Sequence, residues 1–307
     1  MNEQPRIAIL MPTYNSARFL REQVDSLLAQ TWQNFVIVTR DDGSSDDSRT
    51  VMNDYASAHP EHFHIVPSDG RNLGAAGTFA CLLDHALANK TLLGLQKAWL
   101  MFCDHDDVWY PHKIAVTMQR MQQLEADNPG APALVHSDLQ VVDDERRQIA
   151  PSFVDYQGIQ PHKNGFARML VSNTVTGCTA MINEELARLA LPIHDNAIMH
   201  DWWLALVASA FGRIAYIEEP LIDYRQHGAN TIGAREFRKS GRPHLLIRIF
   251  DNQHAEAFSA TAKQARAFSA VYGARLTSQQ RFALGLVRLM RVKAAPLQKL
   301  LLKIMQG

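Results

Sequence analysis

The chain has 307 residues, a formal net charge of zero, 47% hydrophobic and 20% charged residues, which is the make-up of a globular protein able to bury a sizeable core. No apolar run approaches the roughly 20 residues a bilayer span requires, and the opening MNEQPRIAIL lacks a signal-peptide pattern, so a cytoplasmic location is expected. Cys81, Cys103 and Cys178 are odd in number and free of C-x-x-C spacing, which argues for reduced thiols over a disulfide framework or zinc cluster.

Apolar runs of strand length alternate with helical patterns through the first half. RIAILM (6–11) precedes a helix over 17–30, FVIVT (35–39) a helix over 46–58, FHIVP (63–67) a helix over 74–89, and AWLMFC (98–103) a helix over 112–126. Near-continuous apolar strands in β-then-α repetition predict a mostly parallel sheet with helices on both faces. Ligands of such sheets bind beyond the carboxyl ends of the strands. The sequence places polar clusters there: PTYN after the first strand, DDGSSDD after the second, DGRNLG after the third and DHDD after the fourth.

From about 133 the runs shorten to ALVHS and LQVVDD, then a connection with Pro151 and Pro161, then TGCTAMI (176–182). Helices over 183–191 and 201–211 lead to strands at 213–217 and 221–224, completing the same sheet. Beyond 234, HLLIRIF, FALGLVRLMRV and LQKLLLKIM read as basic amphipathic helices. From Arg235 onward there are 14 Lys+Arg against 3 Asp+Glu, a balance of +11, leaving 17 against 28, or −11, for 1–234. Two regions with different partners follow from that split.

Three neighbouring carboxylates, Asp104, Asp106 and Asp107, stand at the end of an apolar run. Their mutual repulsion raises their pKa values unless a cation compensates, which points to a divalent metal; the alternative is a set of N-cap carboxylates for the helix after Pro111. Asp41 and Asp42 in RDDGSSDD fit a turn that caps the following helix. Asp201, in HDWWLAL, stands at a helix start, where an N-cap is again the plain alternative. Trp202 and Trp203 offer an apolar surface to a sugar, with at least one expected in the core.

The order of PTYN, VTRDDGSSDDS and FCDHDDVWYPHKI resembles the nucleotide-sugar-binding half of family 2 glycosyltransferases. HDWWLALVASAFGRIAYIEEPLIDYRQHGANTIG is similar to the acceptor half of their bacterial rhamnosyltransferase-like members. The resemblance spans 6–233 and implies an α/β GT-A-like glycosyltransferase domain at 1–234 with a helical extension at 235–307. It implies a D-x-D pair, Asp104 toward the ribose and Asp106 on Mg²⁺ or Mn²⁺, with Asp107 less clearly placed. Asp41 matches the carboxylate that accepts from the nucleobase, and Asp42 its pocket-shaping neighbour. Thr13 and Asn15 would line the base and ribose pocket, while Pro12 and Tyr14 shape the turn. Asn72 and Gly74 match another donor position, where glycine permits close backbone approach. Asp201 matches the catalytic base of an inverting transfer. His227 matches a position that reaches the metal or diphosphate, Arg225 would neutralise phosphate oxygens, and Gly177 and Cys178 would floor a pocket.

The expected activity is metal-dependent, inverting transfer from a nucleoside-diphosphate sugar, with dTDP-L-rhamnose the best guess, to a glycan or lipid-linked glycan of a surface polysaccharide such as O-antigen. An aspartate with an ordinary pKa of about 3.9 is ionised at neutral pH and ready to accept a proton. The basic tail predicts peripheral binding to an anionic membrane surface on the cytoplasmic face; packing as a helical subdomain or a homodimer interface are the alternatives. A non-catalytic nucleotide-sugar-binding protein on the same fold is the second reading, and the presence of Asp201 argues against it. Nucleic acid is not expected as a partner, for no recognition motif accompanies the basic tail.

Overall fold

The computed structural model describes residues 4–227 and 252–289. Its elements in order are β1 (Ile7–Thr13), α1 (Ala17–Leu28), β2 (Phe35–Asp41), α2 (Ser48–Ala58), β3 (Phe63–Ile65), α3 (Gly74–Ala88), β4 (Leu100–Phe102), β5 (Val108–Trp109) and α4 (Lys113–Asp127). There follow β6 (Ala133–Val142), β7 (Gln148–Ala150), α5 (Phe153–Gln157), α6 (Phe166–Met169), a 3₁₀ turn (Gly177–Thr179), β8 (Met181–Ile182), α7 (Glu184–Ala190), α8 (His200–Phe211) and β9 (Arg213–Arg225). Two helices close the described chain, α9 (Asn252–Tyr272) and α10 (Ser278–Leu289).

All strands join one sheet in the order β3-β2-β1-β4-β8-β6-β9-β5, with β7 added on β6. β3, β2, β1 and β4 run parallel, so their carboxyl ends share one edge. Successive side chains on a strand point to opposite faces, and here both faces are covered. Ala8, Leu10, Val36 and Val38 join α3, α7, α8, α9 and α10 on one side, whereas Ile7, Ile9, Met11, Phe35 and Ile37 join α1, α2 and α4 on the other. This double burial is the physical reason that the strands read as unbroken apolar runs.

The second half departs from the expected parallel order. β8 is antiparallel to both β4 and β6, and β5 is antiparallel to β9, while β6 and β9 pair in parallel. Apolar pattern encodes burial and carries no direction, so this mixture is not legible in sequence. ALVHS and LQVVDD form one strand, β6, and the two strands expected at 213–224 form β9, which carries a register shift where Ile217 pairs Ser137 and Pro220 pairs Asp138. A proline without an N–H is tolerated at such a bulge. The strand expected over 176–182 becomes the 3₁₀ turn and a two-residue β8.

In the extension, HLLIRIF and LQKLLLKIM lie outside the described residues, and FALGLVRLMRV partly coincides with α10. α9 has no counterpart among the expected helices, because its docking face is built from alanines as much as from large apolar residues: Ala262, Ala265, Phe268 and Tyr272 are buried. Phe268 meets Trp203 edge-on at 5.6 Å, and Tyr272 Oη donates to Leu189 O at 2.8 Å. No helix among the described residues is long and apolar enough to cross a membrane.

Candidate active site

The parallel register sets Thr13 of β1 beside Asp41 of β2 at the polar edge. Thr13 Oγ1 donates to Asp41 Oδ1 at 3.4 Å, and Asp41 Oδ2 accepts from the backbone N–H of Gly43 and Ser44 at 3.2 and 3.1 Å and from Arg49 at 3.1 Å. Burial works to raise the Asp41 pKa, but the bonds from Ser44 and Arg49 outweigh it and hold the carboxyl below its ordinary value. Gly43 adopts φ +84°, and a Cβ there would stand 2.6 Å from the Gly70 carbonyl oxygen. Only glycine meets both demands.

Asn15 also takes a left-handed φ, 48°, and its Oδ1 accepts from Ser45 N–H at 2.8 Å. Asp42 is buried and fully engaged. It pairs with Arg40, and its two oxygens accept from Leu73 N–H and Gly74 N–H at 2.9 Å each. Asn72 Oδ1 accepts from the same Gly74 N–H at 2.9 Å. Asp42 thus clamps the loop before α3, and an open cleft of about 450 Å³ lies against that loop at Arg40, Asp69 and Arg71.

The carboxylates after β4 do not cap α4, whose N-cap residue His112 makes no side-chain cap bond, and Asp201 is likewise not the N-cap of α8, which is Met199. The acidic loop is instead tied to its surroundings. His105 Nδ1 lies 3.2 Å from Pro12 O, joining it to the end of β1. Asp106 Oδ2 lies 2.9 Å from His227 Nε2. Burial pushes Asp106 up, yet the His227 bond and the His105 and His227 charges prevail, leaving it below the usual carboxylate range. Asp104 rises to about 7, first through burial and then through Asp106 and Asp201. Asp107 is raised for similar reasons, burial before Asp106 and Asp104.

Asp201 lies against the 3₁₀ turn. Its oxygens accept from Trp202 N–H at 2.7 Å and Asn173 Nδ2 at 3.2 Å, and burial still lifts its pKa to about 6. A Cβ on Gly177 would press on the Asp201 Cβ at 3.3 Å, so the glycine floors this carboxylate. Trp203 is core, while Trp202 is half-buried with its Nε1 donating to Met169 O at 2.6 Å.

Arg225 is placed at the rim but engaged by protein groups. Its N–H donates to Asp107 Oδ1 at 3.2 Å, its Nε to Asp106 O at 3.0 Å, and its Nη2 to Glu22 Oε2 at 2.5 Å, with the guanidinium 4.7 Å over the Phe19 ring. It braces the acidic loop. Sequence reasoning missed Glu22, Asn173 and above all Lys113, which is fully buried with Nζ 4.4 Å from the Trp109 ring centroid and 3.5 Å from Thr179 O. Burial lowers the Lys113 pKa to about 8 against the pull of Cys178, Cys103 and Asp107. A lysine at a helix start reads as solvated in sequence, and only the tertiary fold buries it.

Oxygen donors of this kind suit a hard divalent cation. Ligand atoms of Asp104, Asp107 and Cys178 lie within 4.8 Å of one another, yet burial holds the Cys178 thiol protonated and the Lys113 charge sits on that inner side. The rim therefore offers carboxylate oxygens of Asp104, Asp106 and Asp107 as candidate cation donors, with His227 Nε2 2.9 Å from Asp106.

The family description "Glycosyl transferase family 2" matches residues 8–188. An uncharacterized glycosyltransferase of Rickettsia prowazekii is 26% identical over 229 residues, 74% of this chain and 66% of that protein, so the chain spans about two thirds of its length. The putative teichuronic acid biosynthesis glycosyltransferase TuaG of Bacillus subtilis is 24% identical over 82% of this chain and 91% of its own. The dTDP-rhamnosyl transferase RfbG of Shigella flexneri is 26% identical over 73% and 74% respectively. Among solved structures, TarS 1–349 of S. aureus in complex with UDP superposes with a TM-score of 0.55 at 13% identity, covering 96% of this chain and 90% of that one, a likeness of fold. With the α/β sheet, its shared polar edge and a family match across more than half its length, this chain belongs to glycosyl transferase family 2.

Proposed function

We propose that the protein is an inverting glycosyltransferase in which Asp201 accepts the proton of an acceptor hydroxyl as that oxygen attacks the anomeric carbon of a nucleoside-diphosphate sugar. The observation that carries this reading is a half-buried carboxylate, Asp201, whose desolvation lifts its pKa to about 6, beside the acidic loop at the same sheet edge. A base is most effective when its pKa approaches the working pH without exceeding it. Asn173 and the Trp202 N–H hold the carboxylate in place. Thr13, Asn15 and Asp41 receive the nucleoside, Asp42, Asn72 and Gly74 shape its wall, and Asp104 faces the ribose. Asp106, with His227, would hold Mg²⁺ or Mn²⁺, which when bound would supply positive charge to the diphosphate leaving group. Arg225 supports that site by fixing the acidic loop.

The likeness to a dTDP-rhamnosyl transferase supports dTDP-L-rhamnose as donor, and the likeness to TuaG supports a polysaccharide acceptor. A panel of nucleoside-diphosphate sugars read by thermal shift, with and without Mn²⁺, tests the donor, since a ligand of the folded state raises its stability. Asp201→Asn tests the chemistry: retained donor shift with lost transfer supports an enzyme, and retained transfer removes Asp201 as base. The basic extension at 235–307 docks on an anionic bilayer face in this reading, supported by its +11 balance and by exposed Phe282 and Val271. Equal sedimentation of the full chain with anionic and neutral vesicles would remove that part.

A further inference from the structure

His64 of β3 and His85 of α3 face each other with their Nε2 atoms 2.8 Å apart, the ring planes tilted by 31° and the centroids 5.0 Å apart. β3 ends the sheet and pairs with β2 alone among the described residues. Both histidines are half-buried, so solvent reaches them, and neither belongs to the site at the carboxyl edge. Burial lowers the pKa of each ring, with His85 adding to the effect at His64 and Asp84 opposing it at His85. Two neutral imidazoles therefore meet at physiological pH, holding one N–H between them.

Neutral imidazole is the commonest protein ligand of transition metals and suits Zn²⁺ and ions of similar softness. Two nitrogens each bound to one tetrahedral Zn²⁺ at about 2.0–2.1 Å stand about 3.3 Å apart, so these rings need part by only about half an ångström. The N–H now between them moves to Nδ1 of the ring that carries it. At His85 the Asn89 side-chain amide lies 3.4 Å from Nδ1, where its oxygen, turned inward, accepts that proton; outer acceptors of this kind fix the tautomer of a ligating histidine. Among the described residues no carboxylate, thiol or third imidazole lies close enough to join the two rings, so water fills the other positions. The histidines are 21 positions apart, and the chain between them carries the loop that Asp42 clamps at Leu73 and Gly74. An ion held by both closes that loop as a metal clip does.

We propose that His64 and His85 form a binding site for a divalent transition metal of the Zn²⁺ class, which fastens the end strand β3 to α3. Its nitrogen donors set it apart from the acidic rim, whose oxygens suit Mg²⁺ or Mn²⁺. The site is structural, and it stands independently of the chemistry proposed at Asp201.

The probe is Zn²⁺ at tens of micromolar, added to the full chain after chelator treatment and in millimolar Mg²⁺ to occupy the rim. The ring ¹⁵N resonances of both histidines, assigned by their loss in His64→Gln and His85→Gln, are expected to move together as one equivalent binds. The melting temperature should rise with them, since an ion held by the folded state stabilises it. Each variant should weaken this binding about tenfold or more, and the double variant no further than either single one, because both losses remove the same ion. Asn89→Asp gives His85 Nδ1 a carboxylate and should tighten binding about tenfold, a gain that a poorly folded variant cannot mimic. Resonances that stay in place, Zn²⁺ affinity unchanged in the single variants, or losses that add in the double variant would overturn the proposal and leave the pair as a hydrogen bond between neutral rings.

Discussion

The two groups of carboxylates at the sheet edge are held in opposite ways. Asp41 and Asp42, after β2, accept from backbone N–H groups and from Arg49 and Arg40, and their loops are closed by Gly43, Asn15 and Asn72. Asp104, Asp107 and Asp201 have too few donors for their burial and are pushed toward neutrality. The first group is a scaffold whose carboxylates are already satisfied by protein groups. The second carries an electrostatic cost that a cation and a reacting hydroxyl would relieve under the proposed function, and perturbed carboxylates of this kind cluster at functional sites.

Removing the carboxylate proposed as the base should have the largest effect. Asp201→Asn is expected to lower transfer by about 10³-fold while the thermal shift with dTDP or UDP persists. Removing a scaffold carboxylate should damage folding first: Asp42→Ala takes the close ion-pair partner from buried Arg40, leaving Asp69 at 3.7 Å, and leaves the Leu73 N–H without its acceptor. Urea unfolding should then show a loss of about 3 kcal/mol, and a loss under about 1 kcal/mol would place Asp42 in the ligand-facing group instead.

The acidic rim should respond with the opposite sign. Asp104 titrates at about 7 in the folded chain against an ordinary value of 3.8, so the folded state binds more protons than the unfolded one between those values. Stability of the metal-free protein is therefore lost as pH rises through that window. Asp104→Asn should raise the metal-free melting temperature at pH 8, by on the order of 2 kcal/mol in stability, and abolish the further rise expected of the parent with Mn²⁺ and nucleotide. A fall in the metal-free melting temperature would show Asp104 to be a scaffold group like Asp42.

Smaller effects refine the contrast. Gly43→Ala combines a left-handed φ with a Cβ against the Gly70 carbonyl and should cost about 1 kcal/mol or more, read as a lower urea midpoint. The rate of transfer should rise with pH through about 6 as Asp201 loses its proton, a limb absent if another group is the base.

Much of the site was legible because each polar cluster follows an apolar run directly, and parallel strands deliver such clusters to one edge whatever the details between them. Thr13, Asp41, Asp104 and Asp106 could be placed on that ground. Arg225 could not be read as a brace on the acidic loop, since its partners Glu22 and the Asp106 carbonyl lie far away in sequence. Lys113 and His200 look like ordinary helix-start residues in one dimension, and α9 buries alanines that carry no strong apolar signal.

What the sequence determined alone was the alternation of strand and helix, the burial of both sheet faces and the residue types gathered at the edge, because these depend on local pattern and composition. The tertiary structure decided the antiparallel entry of β8, the merging of strands into β6 and β9, and the division of carboxylates into satisfied and unsatisfied groups. Direction, desolvation and partner choice arise only when distant segments meet, and those three quantities set whether an aspartate caps a turn or serves as a base.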